Sequence, residues 1–152
     1  VFTVLSGVRT EEQGDWAAVE PTSVDTLDSS PDSRSRSVER ALDKAKRAVT
    51  KGADAVVIID SVDDLPGAGV RKALAAAGIK PKGGSLTVIA VARTPIGGET
   101  TVVAFDQAKA AAGKLPAIDV RSSSAARPEL LLDDRGLKAY RKAHADALKK
   151  SR

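Results

Sequence analysis

Apolar residues gather in short, nearly unbroken runs: Phe2 to Leu5, Ala55 to Ile59, Leu86 to Ala92 and Thr101 to Phe105. The runs are rich in β-branched side chains and lack strict alternation with polar residues. A strand with one wet face alternates, so unbroken runs predict strands covered on both faces, as in a parallel sheet between helices. Ala117 to Val120, entered through Pro116, is a shorter fifth candidate. The Ser/Thr/Asp-rich stretch from Pro21 to Arg36 is the one long linker, with room for an edge strand around Ser23 to Leu27.

Helical periodicity lies between the runs. Val38, Leu42, Ala45 and Val49 recur at spacings of four, three and four, which predicts a helix over Ser37 to Lys51 stopped by Gly52. Arg34, Arg36, Arg40, Lys44, Lys46 and Arg47 are interleaved with acids and read as its solvated face. Val70 to Ala77 and Asp106 to Ala112 are weaker helices ending at Gly78 and Gly113, and a final helix runs from about Arg135 to Lys150. Alternating strands and helices predict an α/β doubly wound domain with a mainly parallel sheet of about five strands. We expect residues 1–152 to form a single domain, with a basic carboxyl-terminal helix over 133–152.

Composition narrows the chemistry. Cys is absent and His144 is the single histidine, which excludes disulfides, thiolate zinc sites, thiol catalysis and multi-histidine metal clusters. Four aromatic residues in 152 are too few for a base-stacking platform. No apolar run nears the ~20 residues of a membrane span, so no membrane partner is expected. With no signal layout at the start, the cytoplasm is the expected location. The chain opens on Val1 and contains no Met, as a processed or excised piece would. The net charge of +4 is uneven: residues 134–152 hold seven basic and two acidic side chains, a surplus of five, which leaves the first 133 residues at −1. That tail reads either as a solvated helix face or as a phosphate-contacting one through Lys138, Arg141, Lys142, Lys149 and Lys150.

Ala55-Val-Val-Ile-Ile-Asp60-Ser61 is the most informative segment. A buried strand ending in Asp puts a carboxylate where open parallel sheets bind ligands, and nucleotide-binding folds use it to hold Mg²⁺. Asp60 serves equally as a turn or helix cap. His144 reads as a packed side chain on the last helix, and Trp16 as a cover for the first helix against the sheet.

The order of several short motifs carries a resemblance. Arg9-Thr-Glu-Glu12 follows the first strand, Lys44-Ala-Lys-Arg47 sits in the long helix, and Val57-Ile-Ile-Asp-Ser61 ends the next strand. Gly83-Gly-Ser-Leu-Thr87, Pro116-Ala-Ile-Asp119 and Glu129-Leu-Leu131 come later. Together they resemble the carboxyl-terminal RecA-type ATPase domain of the bacterial transcription termination factor Rho, over about residues 1–140. The resemblance implies a RecA-like fold and an ancestral ATP-dependent RNA translocase, or helicase. It implies ATP and Mg²⁺ as ligands, with Asp60 at the metal and Asp60, Ser61, Arg9 and Arg127 at the nucleotide. RNA and further copies of itself or Rho-like subunits are the implied partners.

The departures from that family are as telling. No Gly-rich loop ending in Gly-Lys-Ser/Thr exists in these 152 residues, and in that family the loop lies upstream of the strand that matches Phe2 to Leu5. Where the family carries Asp-Glu-Arg after the first strand, with the Glu activating water, this chain has Gly7-Val8-Arg9. The RNA-gripping loop after Asp60 is shortened to Asp63 to Gly69, with two carboxylates, and the second RNA-facing loop to Arg93 to Gly98. The arginine-finger position falls at Ala126 or Arg127. The expectation is a degenerate ATPase domain, without catalytic residues and with neither ATP nor Mg²⁺ retained. The alternative is an ATP-independent nucleic-acid-binding or assembly module acting through the basic final helix.

Overall fold

The computed structural model describes residues 1–79 and 83–149 of the 152. The chain divides into two compact units, Val1–Gly98 and Glu99–Arg152.

The first unit is a five-stranded sheet with helices. Its strands are β1 (Phe2–Val8), β2 (Ser23–Thr26), β3 (Ala55–Ile59), β4 (Gly78–Ile79) and β5 (Ser85–Ala90), in the order β2-β1-β3-β5-β4. The first four in that order run parallel, and β4 pairs antiparallel with β5. The expected mainly parallel sheet is therefore present, with Ser23–Thr26 as its edge. Thr101 to Phe105 and Ala117 to Val120 stay out of it.

Helix α1 (Pro31–Thr50) starts six residues before the expected Ser37. Ser30 caps it by accepting the Ser33 N–H at 3.2 Å, and Pro31 follows the cap, where a missing N–H costs nothing. Its buried stripe contains Val38, Leu42, Ala45 and Val49, as the periodicity predicts, and adds Ser37 and Ala41. Arg34 lies on that stripe too and is only 5% exposed, so the solvated-face reading fails at this residue. The extra turn at the amino end swings it over the strand ends. Helix α2 (Gly67–Leu74) contributes Val70 and Ala73 to the same core.

Both helices pack on one face of the sheet, against Val4, Val57, Ile59 and Leu86. The opposite face is covered only in part: Val56 and Ile58 are half-buried, and Ile89 and Val91 are 51% and 59% exposed. The expectation of strands covered on both faces is thus met by α1 and α2 on one side alone. On the other side Leu5 is fully buried, and a 3-10 helix (Thr10–Val19) contacts β1.

Two turns explain short motifs. Gly84 passes so close to the chain that a Cβ would fall 1.8 Å from the Ala53 carbonyl oxygen, and the Gly84 N–H donates to Val49 O at 3.0 Å. Ser85 then donates from its N–H (2.9 Å) and hydroxyl (2.7 Å) to Asp54 Oδ1, locking the entry to β5. No side chain other than hydrogen fits at Gly84 without backbone movement.

The second unit holds the short pair β6 (Thr101–Val102) and β7 (Ser124–Ala125), helix α3 (Gln107–Ala111), a 3-10 turn (Pro128–Leu130) and helix α4 (Asp134–Lys149). Ala117 to Val120 forms one bridge, Phe105 to Ile118, in place of the expected strand. The Pro-Ala-Ile-Asp motif is held against its neighbour by Asp106 N–H to Ala117 O at 2.7 Å and Asp119 N–H to Ala104 O at 2.9 Å. Among the described residues of this unit Ala117 is the one buried hydrophobic side chain, while Phe105, Leu115 and Leu130 stand 74%, 79% and 70% exposed. Among the described residues no helix is long and apolar enough to cross a membrane.

Candidate functional site

The connection after β1 leads to β2 on one side of the sheet, and the connection after β3 leads toward β5 on the other. Adjacent strands whose connections diverge open a crevice at their carboxyl ends, the usual ligand position in such sheets. An open cleft lies there, lined among others by Ser6, Glu12, Asp15, Asp60, Asp64 and Arg93.

Asp60 sits one residue past the end of β3, as the sequence predicts. Its Oδ1 accepts the Ser6 backbone N–H at 2.6 Å, so the carboxylate bridges the ends of β1 and β3. Burial pushes its pKa up, against the pull of the Ser6, Ser61 and Asp60 amides and the Arg34 charge. Ser61 joins it in the cleft lining. Asp63 and Asp64, read from the sequence as carboxylates in the path of RNA, are spent within the unit. Asp63 accepts the Arg93 N–H at 2.9 Å, and Asp64 accepts from Arg34 Nη1 at 3.0 Å.

Arg34 is the residue that pattern reading missed. Its Nη2 donates to Leu27 O at 2.8 Å and Thr26 O at 3.3 Å. One guanidinium thus gathers the β2–α1 loop and the loop after β3. Gly7 makes room for it: φ there is +89°, and a Cβ would lie 3.2 Å from Arg34 Nη1. Ser30-Pro31, a capped helix start, is the signal that would have placed Arg34 inside the helix.

The other predicted residues are dispersed. Arg9 is exposed at the start of the 3-10 helix, its N–H donating to Glu12 Oε2 at 3.1 Å. Arg127 lies in the second unit, paired with Glu129. Lys138, Arg141, Lys142 and Lys149 are exposed on α4, and Lys150 lies outside the described residues. Trp16, in the 3-10 helix, lines the cleft, and His144 is half-buried with its ring 4.4 Å from that of Tyr140.

The described residues do not by themselves fit Mg²⁺. One oxygen of Asp60 is taken by Ser6, Asp64 is held by Arg34, and no group of three or more His, Cys, Asp or Glu residues is arranged to hold a metal. With Glu12, Asp15, Asp60 and Asp64 against Arg93, the lining named above is acidic, which disfavours a bare phosphate.

No family model matches the chain. Curated relatives do: transcription termination factor Rho of Mycobacterium leprae is 30% identical over 142 aligned residues, covering 70% of this chain and 23% of the relative. Rho of Mycobacterium tuberculosis H37Rv is also 30% identical, with 70% and 24% covered. The chain spans about a quarter of the length of these relatives. The resemblance read from the motif order is thus matched by sequence similarity to Rho over 70% of the chain. Among solved structures, a prototypical ATPase of the type III secretion system of pathogenic bacteria aligns with TM-score 0.77 at 20% identity, covering 94% of this chain and 54% of the other. The assembled type III secretion ATPase EscN of enteropathogenic E. coli aligns with TM-score 0.76 at 20% identity, covering 91% and 44%. The fold is that of RecA-like ATPase domains.

Proposed function

We propose that this chain is a Rho-related, RecA-type module of transcription termination that does not itself hydrolyse ATP. Its role is structural: a cytoplasmic assembly piece that meets RNA, further copies of itself or Rho-like subunits. The observation that carries this reading is the state of the strand ends. Asp60, for which the resemblance implies a nucleotide-site role, is half-buried, bonded to the Ser6 amide and raised in pKa.

Around Asp60 the implied machinery is thin. Val8 stands where the resemblance places the water-activating Glu, and an alkyl side chain accepts no proton. Arg34, the buried cation nearest the strand ends, is committed to Asp64 and two carbonyl groups. Losing an arginine finger alone costs about 10³–10⁵ in rate. With Val8 where the resemblance places that Glu, no side chain there activates the attacking water either.

Titration calorimetry with Mg-ATP, paired with phosphate release in the presence of RNA, tests the proposal. The expected result is no binding heat at micromolar nucleotide and no release above buffer. Tight Mg²⁺-dependent binding, with turnover that Asp60→Asn abolishes, overturns it.

A further inference from the structure

We infer that α4 and the turn before it form a docking surface for an acidic amphipathic helix of another protein. The surface belongs to the second unit alone. Leu130 and Leu131, in and just after the turn, stand 70% and 64% exposed, and Leu148 on α4 stands 58% exposed. No described residue of α4 is buried, although apolar and charged side chains are segregated along it. At about 100° per residue, Leu137, Arg141, His144 and Leu148 share an arc of about 60°, a strip about 16 Å long. The Pro128–Leu130 turn packs against α4. Glu129 is held below its ordinary pKa first by its hydrogen bond from Arg127 and in smaller part by the charge of Arg141, which places the turn beside the strip.

Charge complementarity selects the occupant. Lys138, Lys149 and Lys142 lie about 60–100° beyond Arg141, along one margin of the strip. All three are exposed, and among the described residues no ion pair engages them or Arg141. Asp134, in the first turn, is the one acid between Arg141 and these lysines. The opposite margin is uncharged: it carries Tyr140, whose Oη accepts the Ala125 N–H at 3.2 Å, with Ala143 and Ala147. Surface cations alone need no partner, since water solvates them. Leucines beside them add nothing to a phosphate contact, yet apolar anchors rimmed by charge are what a protein partner covers. The complement is a helix with Leu or Ile at helical spacing and Glu or Asp along one edge. About three turns of it match the strip. Burial of the leucines supplies affinity, and the lysines set orientation and speed encounter. This partner is neither RNA nor a copy of the chain, and the nucleotide cleft has no part in binding it.

The experiment uses the full chain and a fluorescein-labelled 18-residue peptide with Leu on one helical face, Glu along one margin and Ala and Gln elsewhere, followed by anisotropy. The peptide should bind in 50 mM salt and more weakly in 200 mM. Leu131→Ser/Leu148→Ser should weaken it at least about tenfold. Lys138→Gln/Lys142→Gln/Lys149→Gln should weaken it about fivefold or more and flatten the salt dependence. A control at α1, Lys44→Gln/Lys46→Gln/Lys51→Gln, should stay within about twofold of the parent. Circular dichroism confirms that each variant is folded. The inference fails if the peptide does not bind, if a scrambled peptide or one with Lys for every Glu binds as well, or if the leucine variant binds like the parent. It fails equally if a 15-nucleotide oligouridylate or phosphatidylserine vesicles bind this surface more tightly than the peptide. A dimer in light scattering that the leucine variant dissolves would assign the surface to a second copy and overturn it.

Discussion

Asp60 Oδ1 accepts the backbone N–H of Ser6 at 2.6 Å, so a single carboxylate ties together the ends of two adjacent parallel strands. The bond is bought at the cost of burial, which raises the pKa of Asp60 above the ordinary 3.8. The folded chain therefore holds this proton more tightly than the unfolded chain. On this account alone, stability is highest below the ordinary carboxylate range and declines as pH rises through the folded value. Asp60→Asn keeps an oxygen for Ser6 and removes the charge. Thermal melts should show the variant equal to the parent near pH 3 and more stable at pH 7. A variant less stable than the parent at pH 7 would show that the ionised carboxylate is a net stabiliser.

Arg34 and Asp64 form an asymmetric pair, since the arginine side chain is 6% exposed and the aspartate 60%. Removing the arginine strips charged donors from Thr26 O and Leu27 O and leaves a void over Gly7. Arg34→Ala should cost about 2–4 kcal/mol in urea denaturation. Asp64→Asn, at the solvent side of the same contact, should cost about 1 kcal/mol or less. Equal losses from the two substitutions would mean that the ion pair, rather than the carbonyl contacts, holds the loops.

Two glycines respond to alanine in opposite directions. At Gly84 a Cβ would meet the Ala53 carbonyl oxygen at 1.8 Å, so Gly84→Ala must displace backbone and should cost about 3 kcal/mol. Gly69 lies inside α2 with nothing within 4 Å of a Cβ, and Gly69→Ala should gain about 0.5–1 kcal/mol. Chemical denaturation of the two variants beside the parent checks both signs.

The parts of the fold that were legible in the sequence are those governed by local pattern. The apolar runs at residues 2–5, 55–59 and 86–92 became central strands, and the stripe of Val38, Leu42, Ala45 and Val49 became the buried face of α1. Asp60 was legible because a strand end fixes its position in space. Arg34 was not, because its burial depends on the helix beginning at Pro31 and on space left by Gly7, which is distant in sequence. The run at 101–105 misled for a related reason. Hydrophobicity alone does not say which sheet a strand joins, and here Thr101 and Val102 pair with Ala125 and Ser124 while Phe105 makes a single bridge to Ile118. Val56 and Ile58 look as buried as their neighbours in sequence, yet burial alternates along β3, because α1 and α2 lie on the same side.

Asp54 provides a titration of the opposite sign to Asp60. Its carboxylate is at the surface, and the Ser85 hydroxyl, with the Ser85 amide, holds its pKa below 3.8. A depressed carboxyl contributes stability that is present above the unfolded value and is lost as pH falls through the folded one. Ser85→Ala removes the larger of the two causes and leaves the amide. A carbon-detected NMR titration should therefore show the Asp54 pKa moving up toward 3.8 in that variant, with a correspondingly smaller loss of stability as pH falls below 3.8. Asp60 should titrate in the same place in both proteins, since neither Ser85 nor Asp54 is among the groups that set its pKa. An Asp54 resonance that titrates identically with and without the Ser85 hydroxyl would remove that hydrogen bond from the account of how β5 is anchored.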